Sequence, residues 1–137
     1  MAVRVYADTN FLMALFIKEH TFHKTATKIL KRPYTFLFNM FSLEEAVYAL
    51  KRDYHLNYLD LTKFVNHLLG QNELLFFEIT DQLSLCQDLV ETQERYKLKP
   101  RDALHYLIMK SNKIKHIASF DNDFIENKDV LKIKVLK

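Results

Sequence analysis

The apolar positions fall into two kinds of segment that alternate along the chain. Short runs of β-branched and aromatic residues, such as Tyr-Thr-Phe-Leu-Phe at 34–38, have the composition of buried strands. Between them lie longer segments whose apolar residues recur every three or four positions, as in amphipathic helices. This pattern predicts strands over residues 3–7, 34–38, 74–79, 116–119 and 133–136.

Start and stop signals delimit the predicted helices. The run Ser-Leu-Glu-Glu at 42–45 fits a capping box that opens a helix at Ser42. Gly70, the only glycine, suits the end of a helix, and Pro100 suits the first position of another. Besides the helix that opens at Ser42, the pattern predicts helices over residues 10–19, 20–31, 58–69, 81–98 and 100–112.

Strands that alternate with helices favour an α/β fold with three layers, α/β/α, around a mostly parallel sheet of four or five strands. The length of 137 residues fits a single domain over 1–137. In folds of this kind, ligands bind at the carboxyl ends of the strands. The residues that directly follow each strand are therefore the first candidates for chemistry.

Composition excludes several classes of function. A single glycine excludes a glycine-rich phosphate loop, and a single cysteine, Cys86, excludes an internal disulfide or a cysteine zinc site. No apolar run approaches the roughly 20 residues of a membrane-spanning helix, and we expect no membrane partner. Twenty basic and 17 acidic residues give a net charge of +3, which is compatible with a polyanion partner. Because a lone cysteine suits a reducing compartment, we expect a cytoplasmic protein.

Five acidic residues stand at strand ends or in the first turns of helices: Asp8, Glu45, Asp102, Asp121 and Asp123. If they converge, their mutual repulsion requires a compensating cation. A set of carboxylates without cysteine or histidine suits Mg²⁺ or Mn²⁺, and these ions assist the hydrolysis of phosphodiesters. The constellation therefore suggests metal-assisted phosphodiester chemistry.

Each of these acids also has a purely structural interpretation. Glu45 can complete the capping box, and Asp102 can stabilise a helix N-terminus through the helix dipole. Asp8 can be an N-cap, and Asp121 and Asp123 can be turn residues. The positions of the acids along the chain leave both readings open.

Four stretches carry the acids, with the sequences Val-Tyr-Ala-Asp-Thr-Asn-Phe-Leu at 5–12, Ser-Leu-Glu-Glu-Ala-Val-Tyr-Ala-Leu at 42–50, Pro-Arg-Asp-Ala-Leu-His-Tyr at 100–106 and Ile-Ala-Ser-Phe-Asp-Asn-Asp-Phe at 117–124. In this order and spacing they resemble the motifs of the PIN domain family. The resemblance is closest to its small stand-alone ribonucleases of the VapC toxin type, and it runs over nearly the whole chain.

The resemblance implies a divalent-metal-dependent endoribonuclease in which metal-activated water attacks an RNA phosphodiester. Its cofactor would be Mg²⁺ or Mn²⁺. The implied catalytic residues, which also bind the metal, are Asp8, Glu45, Asp102 and Asp121. Asp123 is implied as a further metal ligand. The residues implied to orient these groups or to contact substrate are Thr9, Asn10 and Ser119.

The resemblance also implies partners. A toxin of a toxin–antitoxin pair acts on RNA and is held by an antitoxin protein. The many aromatic residues suggest either a homodimer face or a groove for an antitoxin-type helix. One alternative is a non-catalytic RNA- or protein-binding domain on the same fold. A DNA nuclease of the flap-cleaving type is less favoured, because the chain leaves no room for a separate duplex-clamping domain.

Two further residues receive structural interpretations. His105 lies on the same predicted helix as Asp102, and we expect it to serve as a structural or wall-forming residue. Cys86 stands among apolar neighbours in the predicted helix over 81–98, and we expect it to fill a small space in the core.

Overall fold

A computed structural model describes residues 2–137 of the chain. Their strands and helices follow the order β1 (Val3–Ala7), α1 (Thr9–Phe16), α2 (His23–Leu30), β2 (Tyr34–Phe38), α3 (Met40–Tyr54), α4 (Tyr58–Leu69), β3 (Leu74–Phe76), α5 (Gln82–Tyr96), α6 (Pro100–Ser111), β4 (His116–Ala118), α7 (Asn122–Leu131) and β5 (Lys134–Leu136). Within this described range, every helix is too short or too polar to cross a membrane.

The five strands form one sheet in which every pairing is parallel, with the order β3-β2-β1-β4-β5. Strand β1 is central, since Val5 lies opposite Phe36 of β2 on one side and His116 of β4 on the other. The chain builds outward from β1 to β3 and then returns to add β4 beside β1. This change of direction places a crevice between the carboxyl ends of β1 and β4.

The sheet carries one apolar core on each face. Val5 and Ala7 of β1 join a core that contains residues of α1, α2, α3 and α4, with Phe11 and Phe36 fully buried in it. Tyr6, between them, points to the opposite face and joins a core formed with α5, α6 and α7. The predicted three-layer α/β/α fold is thus confirmed, and the central sheet has five strands that are all parallel.

Helix α3 begins earlier than the capping-box motif predicts. Its N-cap is Asn39, whose side-chain oxygen accepts hydrogen bonds from the backbone N–H groups of Phe41 at 2.9 Å and Ser42 at 3.1 Å. The prediction that Ser42 caps this helix is therefore wrong. Asn39 directly follows β2, and its amide also donates to the Tyr6 hydroxyl at 2.9 Å, so one side chain joins helix, strand and core.

The chain after β4 forms a helix that the apolar periodicity does not predict. Asp121 is the N-cap of α7 and accepts a hydrogen bond from the backbone N–H of Asp123 at 2.9 Å. Only Phe124 and Leu131 of this ten-residue helix are buried. Two apolar anchors in ten residues are too few to produce a recognisable helical stripe.

Helix α5 packs on its neighbours through a narrow stripe, and this overturns the interpretation of Cys86. The cysteine is exposed, whereas the buried residues of the helix are Leu85 and Thr92. Leu83 and Val90 also face solvent, so apolar composition in this segment does not mark a core-facing surface. Cys86 does not fill a space in the core.

Several helix ends adopt left-handed backbone without glycine. His55, Lys97 and Lys132 cap α3, α5 and α7 at φ values of 55°, 55° and 57°, and Lys113 follows α6 at 56°. Gly70 caps α4 at a φ of −87°, a conformation that needs no glycine. Non-glycine residues at positive φ carry a modest backbone strain.

Replacing Asn39 by Ala tests the observed start of α3. The change removes two hydrogen bonds to the helix N-terminus and one to Tyr6, so we expect the free energy of unfolding to fall by about 2 kcal/mol. Ser42→Ala removes only contacts of 3.4 Å and 3.5 Å and should cost less than about 1 kcal/mol. Urea unfolding followed by circular dichroism measures both changes. A larger loss for Ser42→Ala would contradict the observed cap.

Candidate active site

Asp8 occupies the crevice at the carboxyl end of β1. Its side chain caps α1 by accepting the backbone N–H of Thr9 at 2.8 Å, and it accepts the Ser119 hydroxyl at 2.6 Å. Burial raises the pKa of the Asp8 carboxyl, and the His105 charge and these two hydrogen bonds only partly oppose that effect. The carboxylate is therefore held rigidly at the edge of the sheet.

Three aspartates converge beside Asp8. Asp102, in the first turn of α6, and Asp121 and Asp123, at the start of α7, offer carboxylate oxygens that all lie within 4.8 Å of one another. We call these three residues the aspartate cluster. Ser119 connects the cluster to Asp8, because its hydroxyl also accepts the backbone N–H of Asp121 at 3.1 Å.

The crowding of negative charge is strong enough to hold a proton. Burial, the charge of Asp121 and a hydrogen bond with Asp123 together raise the pKa of Asp102 from 3.8 to about 7. The charge of Asp8 acts in the same direction. At neutral pH the aspartate cluster therefore requires either a bound proton or a cation.

Glu45 lies outside the aspartate cluster and is held by other groups. His105 donates from Nε2 to one carboxylate oxygen at 2.6 Å, while Thr9 donates to the other at 3.4 Å. Arg101 lies 3.8 Å from that second oxygen. Burial favours the neutral form of Glu45, but the hydrogen bond and charge of His105, aided by Arg101, outweigh it and lower the pKa.

His105 connects Glu45 to the core of the protein. The imidazole is 1% exposed, and its Nδ1 shares a hydrogen bond of 2.6 Å with the Tyr6 hydroxyl. Asn39 donates to the same hydroxyl at 2.9 Å. Burial alone would favour the neutral ring, but Tyr6 and the hydrogen bond with Glu45 raise the pKa of His105 well above its usual value. A chain of buried polar groups thus fixes the position of Glu45.

The residues predicted from the sequence therefore divide into two groups. The structure brings together the aspartate cluster and, through Ser119, Asp8. Glu45 does not belong to that group and is paired with His105. The Asn10 side chain accepts the backbone N–H of Phe120 at 3.1 Å and so holds the loop after β4. The catalytic and metal-binding roles of these residues stay predictions.

The sequence contains a signal for the buried polar contacts of His105 and Tyr6, which the acidic motifs alone do not predict. His105 lies three residues after Asp102, so the two side chains share one face of α6. Tyr6 is a polar aromatic residue at an inward-facing position of β1, and such a hydroxyl requires a partner when it is buried. Together these features could have indicated a buried polar chain behind the acids.

The donor set of the aspartate cluster fits a divalent ion. It offers only carboxylate oxygens, which Mg²⁺ and Mn²⁺ prefer, and within residues 2–137 no cysteine or histidine belongs to the group. Burial and the neighbouring carboxylates raise the pKa of Asp102, so a bound cation would stabilise its ionised form. The exposed Lys99, 3.8 Å from Asp123, supplies only weak compensation.

The profile of the PIN domain matches residues 5–130. The chain belongs to the PIN domain family. The fold is similar to the crystal structure of VapC20 from Mycobacterium tuberculosis, described as a toxin that cleaves the sarcin–ricin loop, with a TM-score of 0.71 and 22% sequence identity. That similarity covers 89% of this chain and 93% of VapC20. No curated protein matches the chain in sequence. The family resemblance of the four acidic motifs is confirmed.

The charge crowding in this PIN domain predicts a pH-dependent stability in metal-free buffer. Between pH 4 and pH 7 the folded protein keeps a proton on Asp102 that the unfolded chain has lost, so stability falls as pH rises. The raised pKa values of Asp8 and His105 act with the same sign. The lowered pKa of Glu45 has the opposite sign and acts in more acidic solution.

We expect Asp102→Asn, in EDTA at pH 8, to raise the Tm by about 4 °C, which corresponds to ~1 kcal/mol for a chain of this size. At pH 5.5 the same change should have little effect, because Asp102 is already neutral there. Asp88→Asn, at an exposed position of α5, serves as the control and should change neither value. Equal Tm values for wild type and Asp102→Asn at pH 8 would contradict the charge crowding.

Proposed function

We propose that this PIN domain is a divalent-metal-dependent endoribonuclease that hydrolyses RNA phosphodiester bonds and acts as the toxin of a toxin–antitoxin pair. The observation that carries the proposal is the aspartate cluster, three carboxylates within 4.8 Å at the switch point of a parallel sheet. Family membership and the likeness to VapC20 support the same activity. The proposed cofactor is Mg²⁺ or Mn²⁺.

In this proposal Asp102, Asp121 and Asp123 hold the divalent ion, and Asp8 completes the site. A bound ion supplies an activated water and neutralises charge on the phosphate. Asp8 is held in one orientation by Ser119 and by the N-terminus of α1, so its carboxylate does not have to be ordered on binding. The N-termini of α1 and α7 add positive partial charge to the crevice.

Glu45 is the fifth acid of the proposed site. His105 and Thr9 contact its two oxygens, and its lowered pKa keeps the carboxylate ionised at neutral pH. Arg101 and Lys99 stand at the rim, each 3.8 Å from an acid and each largely exposed. These cations reduce the repulsion that an approaching phosphate meets.

The proposed partners are an antitoxin protein and a second copy of the chain. Large apolar and aromatic side chains are exposed on α3 and α4, which is typical of surfaces that bind other proteins. They are Met40, Phe41, Tyr48, Tyr54, Tyr58, Leu59 and Leu69. Exposed, unbridged Cys86 agrees with the proposed location in the cytoplasm.

One observation favours a second candidate, a non-catalytic RNA- or protein-binding domain. Glu45 is engaged by His105 and Arg101 and lies outside the aspartate cluster, so the acids do not form a single group. Such a domain would bind RNA or a protein without a divalent ion.

Cleavage of a labelled structured RNA tests the proposal. We expect cleavage with Mg²⁺ or Mn²⁺ and none in EDTA. The rate for Asp121→Asn should be at least ~100-fold lower, since each tenfold loss corresponds to only ~1.4 kcal/mol of lost transition-state stabilisation. Asp88→Asn is the control with unchanged activity.

Three outcomes would contradict the proposal. Cleavage in EDTA would show that no divalent metal is needed. Equal activity of Asp121→Asn would show that the aspartate cluster has no part in cleavage. RNA binding in EDTA without cleavage under any condition would favour the non-catalytic domain. A parallel DNA substrate that is cut faster than RNA would point to a DNA nuclease.

A further inference from the structure

Positive charge is concentrated in two short segments that do not contribute to the candidate active site. Residues 110–116 and 128–137 contain seven lysines and a single acid, Asp129, which gives them a net charge of +6. The whole chain carries +3, so the remaining 120 residues carry −3. The positive net charge of the protein therefore originates from these two segments.

The two segments meet at the end of the sheet opposite to the acids. Helix α6 ends at Ser111 and leads into β4, while α7 ends at Leu131 and leads into β5. Lys134 and Lys115 are neighbours there, joined by a backbone hydrogen bond of 2.8 Å. The lysines thus surround the amino ends of β4 and β5, whereas Asp121 and Asp123 of the aspartate cluster follow the carboxyl end of β4.

A groove of about 600 Å³ lies between these segments. Buried Ile114, Leu131 and Ile133 form its floor with Tyr106, and no acidic residue of the described chain lines it. We call it the lysine groove, after the exposed residues of its rim, which are Lys110, Lys113, Lys115 and Lys132. A neighbouring cavity that shares Lys110 and Lys132 extends it to Arg95.

The lysine charges are not neutralised within the protein. Across residues 2–137, no ion pair involves any lysine of the two segments. Burial and the charge of Lys134 lower the pKa of His116, as expected in a positive field. The C-terminal dipoles of α6 and α7 account for Lys110 and Lys128 in their last turns, but not for the lysines beyond the helix ends.

Two of the rim lysines occupy backbone positions that other residues would fill at lower cost. Lys113 and Lys132 adopt φ values of 56° and 57°, where glycine or asparagine is less strained. The backbone conformation itself gives no reason for lysine at either position. What the two residues share is an exposed ammonium group beside the groove.

The chemistry of the candidate active site makes a remote cationic surface useful. RNA is a polyanion, and the crevice presents at least five carboxyl groups to it. The cations nearest the crevice, Lys99 and Arg101, already lie 3.8 Å from Asp123 and Glu45. A cationic surface elsewhere on the molecule would add attraction for the rest of an RNA strand.

We propose that the lysine groove binds the phosphate backbone of RNA as an anchoring surface outside the cleavage site. This proposal rests on the proposed ribonuclease function. Lys110 lies eight residues after Asp102 on α6, about 12 Å along the helix axis, which corresponds to roughly four nucleotide steps of a helical strand. A structured RNA can therefore reach both surfaces, whereas a dinucleotide with a single phosphodiester is too short to reach both.

Binding of a fluorescent structured RNA in EDTA, measured by anisotropy across a salt series, tests the anchoring surface without cleavage. The triple variant Lys113→Gln, Lys115→Gln, Lys132→Gln should bind at least 10-fold more weakly, and the slope of log affinity against log salt should decrease by about 2–3. The matched control is Lys24→Gln, Lys28→Gln, Lys31→Gln in and after α2, on the other layer, where affinity should change less than 3-fold. Both variants reduce the net charge from +3 to zero.

The readouts separate this proposal from the ribonuclease function. Cleavage of a dinucleotide should be equal in wild type and the groove variant, which also shows that the variant is folded. If the chain cleaves nothing, the function proposal fails while the binding result in EDTA still decides the role of the groove. Equal losses in the groove and control variants would overturn the anchoring surface. Unchanged RNA affinity with lost binding of a poly-glutamate peptide would overturn it in favour of an acidic protein partner.

Discussion

Repulsion between carboxylates at one edge of the sheet is the constraint on which the rest of the site depends. Five parallel strands deliver their following residues to the same edge, and there Asp102, Asp121 and Asp123 approach within 4.8 Å. Asp102 is the buried member of the three, and its burial together with the charge of Asp121 raises its pKa to about 7. A divalent ion would offset this repulsion, and a set of carboxylate oxygens suits such an ion.

Different parts of the structure stabilise different acids of the site. Asp8 and Asp121 each cap a helix, so backbone N–H groups stabilise both carboxylates. Glu45 is paired with buried His105 instead of joining the aspartate cluster, and His105 is held in turn by Tyr6. Free lysines are concentrated at the other end of the sheet, which gives the molecule an acidic end and a basic end.

The sequence predicts well those features that depend on strong local patterns. The predicted bounds of β2 and α4 agree with the structure, because each is a short, uniform run next to residues that end regular structure, such as Pro33 and Gly70. Parallel strands that share one edge predict Asp8, Asp121 and Asp123, whereas Asp102 lies on a helix that follows another helix and is indicated by the family motif. The start of α3 was misplaced because Asn39 and Ser42 are equally good caps, and only the contact with Tyr6 distinguishes them. The pairing of Glu45 with His105 joins residues 60 positions apart, which local patterns do not reveal.

Anomalous diffraction at the manganese edge, from crystals grown with Mn²⁺, tests whether the aspartate cluster binds a divalent ion. We expect a peak in the crevice within about 2.0–2.6 Å of carboxylate oxygens of Asp102 and Asp121. The same peak should be absent from crystals of Asp102→Asn grown under identical conditions. An empty crevice in wild-type crystals at millimolar Mn²⁺, or ions bound only at surface acids, would contradict this expectation.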